Sequence, residues 1–222
     1  MEWGPVKLTL LLAVVTTVIL FVISIPLAYW LSYSRAKYKG VIESIVSLPL
    51  VLPPTVLGFY LLIAFSPESW FGSFLNDYLG IRLVFSFPGL VIGSVIYSLP
   101  FMVQPLQSGF SGVPRSYREA SSLMGKSKWT TIAKVILPNM KSSLITGIVL
   151  TFAHTIGEFG VVLMIGGNIP DQTKVMSIAI YDEVESLNYG AAHLYSLALL
   201  IVMFLILLIV NLRKNKSSNL LN

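Results

Sequence analysis

Five long apolar runs, almost free of charge, constrain this chain more than any other feature. Leu8–Ser34, Ser44–Pro67, Leu83–Pro114 and Ser186–Leu212 contain no Lys, Arg, Asp or Glu, and Ser142–Pro170 contains only Glu158. A bilayer core takes about 20 apolar residues per helix, and the shortest run has 24. Backbone groups in lipid must bond within their own segment, so each run is expected to be helical. The apolar residues do not alternate strictly, which argues against barrel strands. Only 11% of the residues are charged, against about 25% in soluble domains, and the mean hydropathy is +0.80. A soluble enzyme and a disordered chain are both excluded. The first run is too long for a signal-peptide core and Ser24–Tyr33 has no Ala-x-Ala site, so it reads as a retained helix. With no cysteine there is no disulfide framework, thiolate metal site or cysteine nucleophile. The expectation is an all-α, polytopic membrane protein with five transmembrane helices, forming one transmembrane domain over residues 1–222.

The basic residues set the direction of the spans. Arg35, Lys37 and Lys39 follow the first span, and Arg115, Arg118, Lys126, Lys128, Lys134 and Lys141 separate the third from the fourth. Arg213, Lys214 and Lys216 follow the fifth, which places twelve of the fifteen basic residues on one side. Seven of the ten acids fall on the other side: Glu2, Glu68, Asp77, Asp171, Asp182, Glu183 and Glu185. The N-terminus is therefore expected outside and the C-terminus in the cytoplasm. The net charge of +5 belongs to this membrane asymmetry rather than to a nucleic-acid surface. Thr173–Glu185 mixes Val175, Met176, Ile178 and Ile180 with acids, and reads as a short helix lying on the membrane surface.

The inner loop, residues 112–141, is longer than a simple connection needs. Pro114 can open a helix, and Ser116 three residues before Glu119 matches a capping box. Gly125 supplies a reversal where positive φ is cheap. A second helix then starts at Lys126–Trp129 and is limited by Pro138. Leu123, Met124, Trp129 and Ile132 form an apolar edge that can anchor a soluble partner or lie on anionic lipid. Gly125-Lys126-Ser127 looks like the end of a phosphate-binding loop, but position 120 is Ala where that loop needs Gly, and no strand precedes it. The chain is thus not expected to hydrolyse ATP, and no cofactor is expected.

Glu119-Ala120-Ser121, Gly125, Val135 and Leu137-Pro138 resemble, in spacing and identity, the coupling-loop signature of permeases in binding-protein-dependent ABC importers. Ser121 and Val135 stand where that signature usually has Ala and Ile. Leu48-Pro49-Leu50-Val51-Leu52-Pro53-Pro54-Thr55, His154-Thr155-Ile156-Gly157-Glu158-Phe159-Gly160 and Gly167-Asn168-Ile169-Pro170 with Thr173 are similar to the molybdate permeases, in the group shared with sulfate and thiosulfate permeases. The resemblance runs from about Leu8 to Leu212. It implies the ABC importer permease fold and a coupling role for Glu119, Ala120, Gly125, Leu137 and Pro138. It also implies a homodimer of permease chains, two ATP-binding cassette subunits and an extracytoplasmic molybdate-binding protein, in the inner membrane. Some relatives carry a sixth, N-terminal span, which is not expected here, and any regulatory module is expected on another subunit.

The spans contain no Lys or Arg, so no fixed cation would trap an anion in transit. Hydroxyls, backbone N–H groups and helix N-termini are left to pass it. Thr55, beside Pro53-Pro54, and the Gly157–Gly160 turn are expected to line the path near its gate. Glu158, a carboxylate deep in a span, is expected to be a gate or interface residue, or else to sit solvated at the headgroup level. His154 lies four residues earlier; a pair of ligands makes no metal site, so a packing or hydrogen-bonding role is expected. Sulfate, thiosulfate or tungstate is the alternative cargo. An ion-coupled carrier is the rival from another class, disfavoured by the lack of an inverted repeat and of paired intramembrane charges.

Overall fold

The computed structural model describes residues 2–218, and side chains as far as Leu208. Its described residues form helices and connecting turns without strands. Three helices are individually long and apolar enough to cross a membrane, and counting each of two bent pairs as one span brings the number up to five.

Helix α1 (Trp3–Tyr33) carries its small and hydroxylated residues on one stripe: Thr9, Ala13, Thr16, Thr17, Ser24 and Ala28 are buried. Val14, Val18 and Val22 face outward. This inverted polarity belongs to membrane helices, whose contacts depend on close backbone approach because lipid already solvates the branched side chains.

The second run is not one helix. It forms α2 (Lys39–Ser47) and a single 3-10 turn, Leu48–Leu50. After a break comes α3 (Pro54–Phe65), and the two parts are bent by 109°. The cause is the Pro53-Pro54 pair. Pro54 drives Pro53 out of the helical region, to ψ 134°. Helix α4 (Trp70–Leu79) follows; the Ser69 hydroxyl accepts from the Gly72 N–H at its start, and Gly80 closes it at φ +63°.

Helix α5 (Phe87–Gly112) runs unbroken through Pro100 and Pro105, although proline inside a helix ordinarily kinks or breaks it. It is the central helix: 56% of its most apolar window is buried, against 39% for α1. Packing on several sides offsets the hydrogen bonds that the two prolines remove. The inner core joins Leu20, Ala28 and Leu31 of α1 to Met102, Val103, Leu106 and Phe110 of α5.

The inner loop folds as α6 (Arg115–Leu123), α7 (Lys128–Thr131), a wide π turn over Ile132–Ile136, and α8 (Leu137–Asn139). The fourth run becomes α9 (Lys141–Gly157) and α10 (Gly160–Gly166), separated by Glu158-Phe159. Helix α11 (Met176–Glu185) packs one face on the bundle. Met176, Ile178 and Ala179 are buried against the protein, and the Met176 N–H donates to the Thr9 hydroxyl at 2.8 Å. Helix α12 (Tyr189–Ser218) stands at the rim, with 11% of its apolar window buried and Leu197, Leu200, Phe204 and Leu205 facing out. The side chains of Arg213, Lys214 and Lys216 lie outside the described residues.

Candidate functional site: a docking segment and a broken-helix junction

The loop of residues 112–141, the candidate docking segment, is built on two anchors. The first is Arg118, whose guanidinium lies 3.7 Å from the centroid of the Tyr33 ring. Tyr33 in turn donates its hydroxyl to the Phe110 carbonyl at 2.6 Å, tying the ends of α1 and α5 together beneath α6. The second is the buried pair of Ser121 and Thr131 hydroxyls, 2.7 Å apart, which clips α6 to α7. Ser121 is one of the two positions at which the sequence departs from the signature it resembles, and its hydroxyl has a partner in this chain. In the sequence Arg118 is one positive charge among several. Its partner is 85 positions away, and no local pattern could have pointed to it.

Between the anchors the turn is as the sequence suggested: Gly125 has φ +68°, where a Cβ is strained. The capping box is not formed. Pro114 occupies the cap, so Ser116 falls inside the first turn, and the N-terminus has no side-chain cap. The second helix starts at Lys128, within the expected Lys126–Trp129 stretch, with the Ser127 hydroxyl accepting from the Thr130 N–H.

Glu119 and Ala120 are exposed on α6, and Pro138 is exposed on α8. Leu137 packs partly against the inner core. The apolar edge is narrower than expected. Leu123, Met124 and Trp129 are 90%, 66% and 76% exposed, whereas Ile132 turns inward onto the core. Covering each of the three would contribute about 1.5–3 kcal/mol. Arg115, Arg118, Glu119, Ser122 and Leu123 line a shallow cleft of about 450 Å³ on the same face.

The second region is the junction of α3 and α10, two half-helices that start at breaks within apolar runs. A Cβ on Gly160 would stand 2.7 Å from the Pro54 Cβ and 3.2 Å from the Thr55 N, and one on Gly58 would stand 2.8 Å from the Met164 Cβ. Thr55 and Gly160, 105 positions apart, are thus brought together as the sequence reading grouped them, with Thr55 exposed and Gly160 buried. Gly157 is exposed, with open space where a Cβ would be.

Glu158 is 3% exposed, which excludes the solvated headgroup placement. Neither carboxyl oxygen has a hydrogen-bond partner among the described residues, although its backbone carbonyl accepts from the Ser177 hydroxyl at 2.6 Å. His154 does not pair with it. The helix ends at Gly157, Glu158 is extended, and the imidazole stacks on Phe101 at 3.9 Å and beside Tyr97 at 4.9 Å. The ring thus packs among aromatic side chains. No cluster of three potential metal ligands occurs among the described residues.

The Gly-Asn-Ile-Pro stretch also acquires a structural account. Asn168 donates to both Asp182 oxygens, at 2.7 and 2.6 Å, and Lys174 pairs with Asp182 at 2.6 Å. Thr173 donates to the Gly166 carbonyl at 2.7 Å and accepts from the Ile169 N–H at 3.1 Å. These side chains bind the end of α10 to α11.

Comparison with known proteins places this architecture. The chain is 47% identical, over 93% of its length and 91% of the relative's, to the molybdenum transport system permease protein ModB of Azotobacter vinelandii. It is 31% identical, over 95% of its length and 92% of the relative's, to the putative molybdenum transport system permease protein YvgM of Bacillus subtilis. The sulfate transport system permease protein CysT of Escherichia coli is 30% identical over 92% of this chain and 74% of its own length. Among solved structures, a bacterial ABC transporter involved in the import of alginate superposes with a TM-score of 0.79 at 17% identity, covering 96% of this chain and 78% of that one. The MetNI methionine ABC transporter does so with a TM-score of 0.71 at 19% identity, covering 95% and 96%. Residues 21–214 match the family described as binding-protein-dependent transport system inner membrane component, and the chain belongs to that family.

Proposed function

We propose that the chain is the molybdate-translocating permease of an ABC importer, working as a homodimer with two ATP-binding cassette subunits and an extracytoplasmic molybdate-binding protein. The observation that carries the reading is the α6–Gly125–α7 segment. It leaves Leu123, Met124 and Trp129 uncovered while Arg118 fixes it to the bundle and the Ser121–Thr131 pair holds its two helices together. A rigid handle with bare apolar anchors suits a soluble engine that pushes and pulls on it. The distribution of basic residues puts this handle in the cytoplasm and the N-terminus outside.

In this mechanism nucleotide closes the ATPase subunits, the handles of the two permease chains approach, and the path opens outward. Hydrolysis resets it. The α3–α10 junction, with Thr55, Gly157, Glu158 and Gly160, is the gate: two half-helices in glycine contact can slide without breaking intrahelical hydrogen bonds. Glu158 acts there as a positioning residue rather than a ligand, since a carboxylate repels an oxyanion.

The name of the 47% relative supports molybdate, and the sulfate permeases at 30–36% identity supply the second reading. The test is ATP hydrolysis by the reconstituted complex with its binding protein. Molybdate is expected to stimulate it at lower concentration than sulfate, and the reverse order would favour the sulfate reading.

A further inference from the structure

Two clefts open on the half of the bundle nearest the docking segment. The first, of about 480 Å³, lies where the Leu48–Leu50 turn, α5 and α9 meet, and is lined in part by Gln104, Ser108, Ser142, Ser143 and Thr146. The second, of about 260 Å³, shares Ser108, Ser142 and Ser143 with it and extends past Asn139 to the start of α6. Together they form one track from the middle of α5 to the base of the docking segment. No Lys, Arg, Asp or Glu lines either cleft.

We propose that this track is the cytoplasmic release lane for the oxyanion, with Gln104, Ser108, Asn139, Ser142, Ser143 and Thr146 as its polar lining; the proposal rests on the oxyanion reading above. Neutral O–H and N–H donors can replace part of the hydration of a tetrahedral dianion, and without a fixed cation the anion is not held. The Thr146 hydroxyl donates to the Ser142 carbonyl and the Gln104 amide to Ser47. Ser108 and Ser142 are exposed on the cleft wall. The lane ends beside α6, so a movement of the docking segment changes its width.

The test places a carboxylate in the lane. Ser108→Asp and Ser142→Asp, with Ser108→Asn and Ser142→Asn as neutral controls of like size, are reconstituted with the ATPase subunits and the binding protein. ATP-driven uptake of molybdate and ATP hydrolysis are read in parallel. The Asp variants are expected to assemble and hydrolyse ATP while uptake falls about tenfold or more, since like charge in a low-dielectric path strongly opposes an anion. The Asn variants, which keep a neutral donor in the lane, are expected to lose much less uptake than the Asp variants. Unchanged uptake in the Asp variants, equal loss in the Asn variants, or failure of the Asp variants to assemble would each overturn the lane. A wild-type complex that moves no oxyanion would instead bring down the parent reading, and the lane with it.

Discussion

Arg118 and Tyr33 meet face to face, the guanidinium 3.7 Å from the ring centroid, and this contact joins the docking segment to the first helix of the bundle. Cation–π contacts of this kind contribute about 0.5–2 kcal/mol. Arg118→Ala is expected to leave the complex assembled but to lower transport per ATP hydrolysed. Tyr33→Phe keeps the ring and is expected to retain coupling better than Tyr33→Leu. The ratio of uptake to hydrolysis in proteoliposomes checks this; an unchanged ratio in Arg118→Ala would remove the contact from the coupling path.

The Ser121–Thr131 pair predicts a non-additive cycle. Thr131→Val leaves the buried Ser121 hydroxyl without its partner and is expected to cost about 1–3 kcal/mol, Ser121→Ala is expected to cost less because Thr131 keeps its bond to the Ser127 carbonyl, and the double change is expected to cost less than the sum. Hydrogen exchange across residues 115–131 reads the local opening directly.

At the half-helix junction, Gly160→Ala drives a methyl to 2.7 Å from Pro54, and overpacking of this kind costs about 1–3 kcal/mol. Gly157→Ala meets open space and serves as the control. Thermal unfolding in detergent is expected to show a lowered midpoint for the first and little change for the second. Equal midpoints would mean that α3 and α10 are not in close contact.

The Lys174–Asp182 bridge predicts a pH dependence. The hydrogen bond to Asp182 raises the Lys174 pKa above its usual 10.5, with the charge of Asp182 and of nearby Glu2 and Glu183 adding to it. The stabilisation is therefore fully present below pH 10.5 and is lost as pH rises through the elevated value. Lys174→Gln is expected to be less stable than wild type at neutral pH, and the difference is expected to vanish in strong alkali. A difference that persisted there would point to packing instead.

Much of this architecture is legible in the sequence because lipid is a demanding solvent. The uncharged runs fix where helices lie, and Gly125 fixes a turn that only positive φ allows. What tertiary packing decides is less legible. Pro53-Pro54 and Pro100 look alike as helix breakers, yet the first breaks a span and the second does not. The difference is that α5 is enclosed by neighbours that stabilise it. The same enclosure pulls Ile132 inward, where amphipathic spacing alone suggested a docking face. At the candidate gate, the grouping of Thr55 with Gly160 was readable from the breaks. The burial of Glu158 without a partner was not, because it depends on where Phe159 and α11 place the chain after Gly157.

The most direct test uses Gly125→Asp, which strains the turn at φ +68°, beside wild type, each reconstituted with and without the ATPase subunits. Uptake of molybdate driven by ATP is expected only from wild type with the ATPases present, with the variant inserted and assembled but about tenfold or more impaired, as loss of roughly 1.4 kcal/mol of coupling would give. Uptake by wild type alone, or full activity in the variant, would contradict the claim that the docking segment transmits the work of a separate engine.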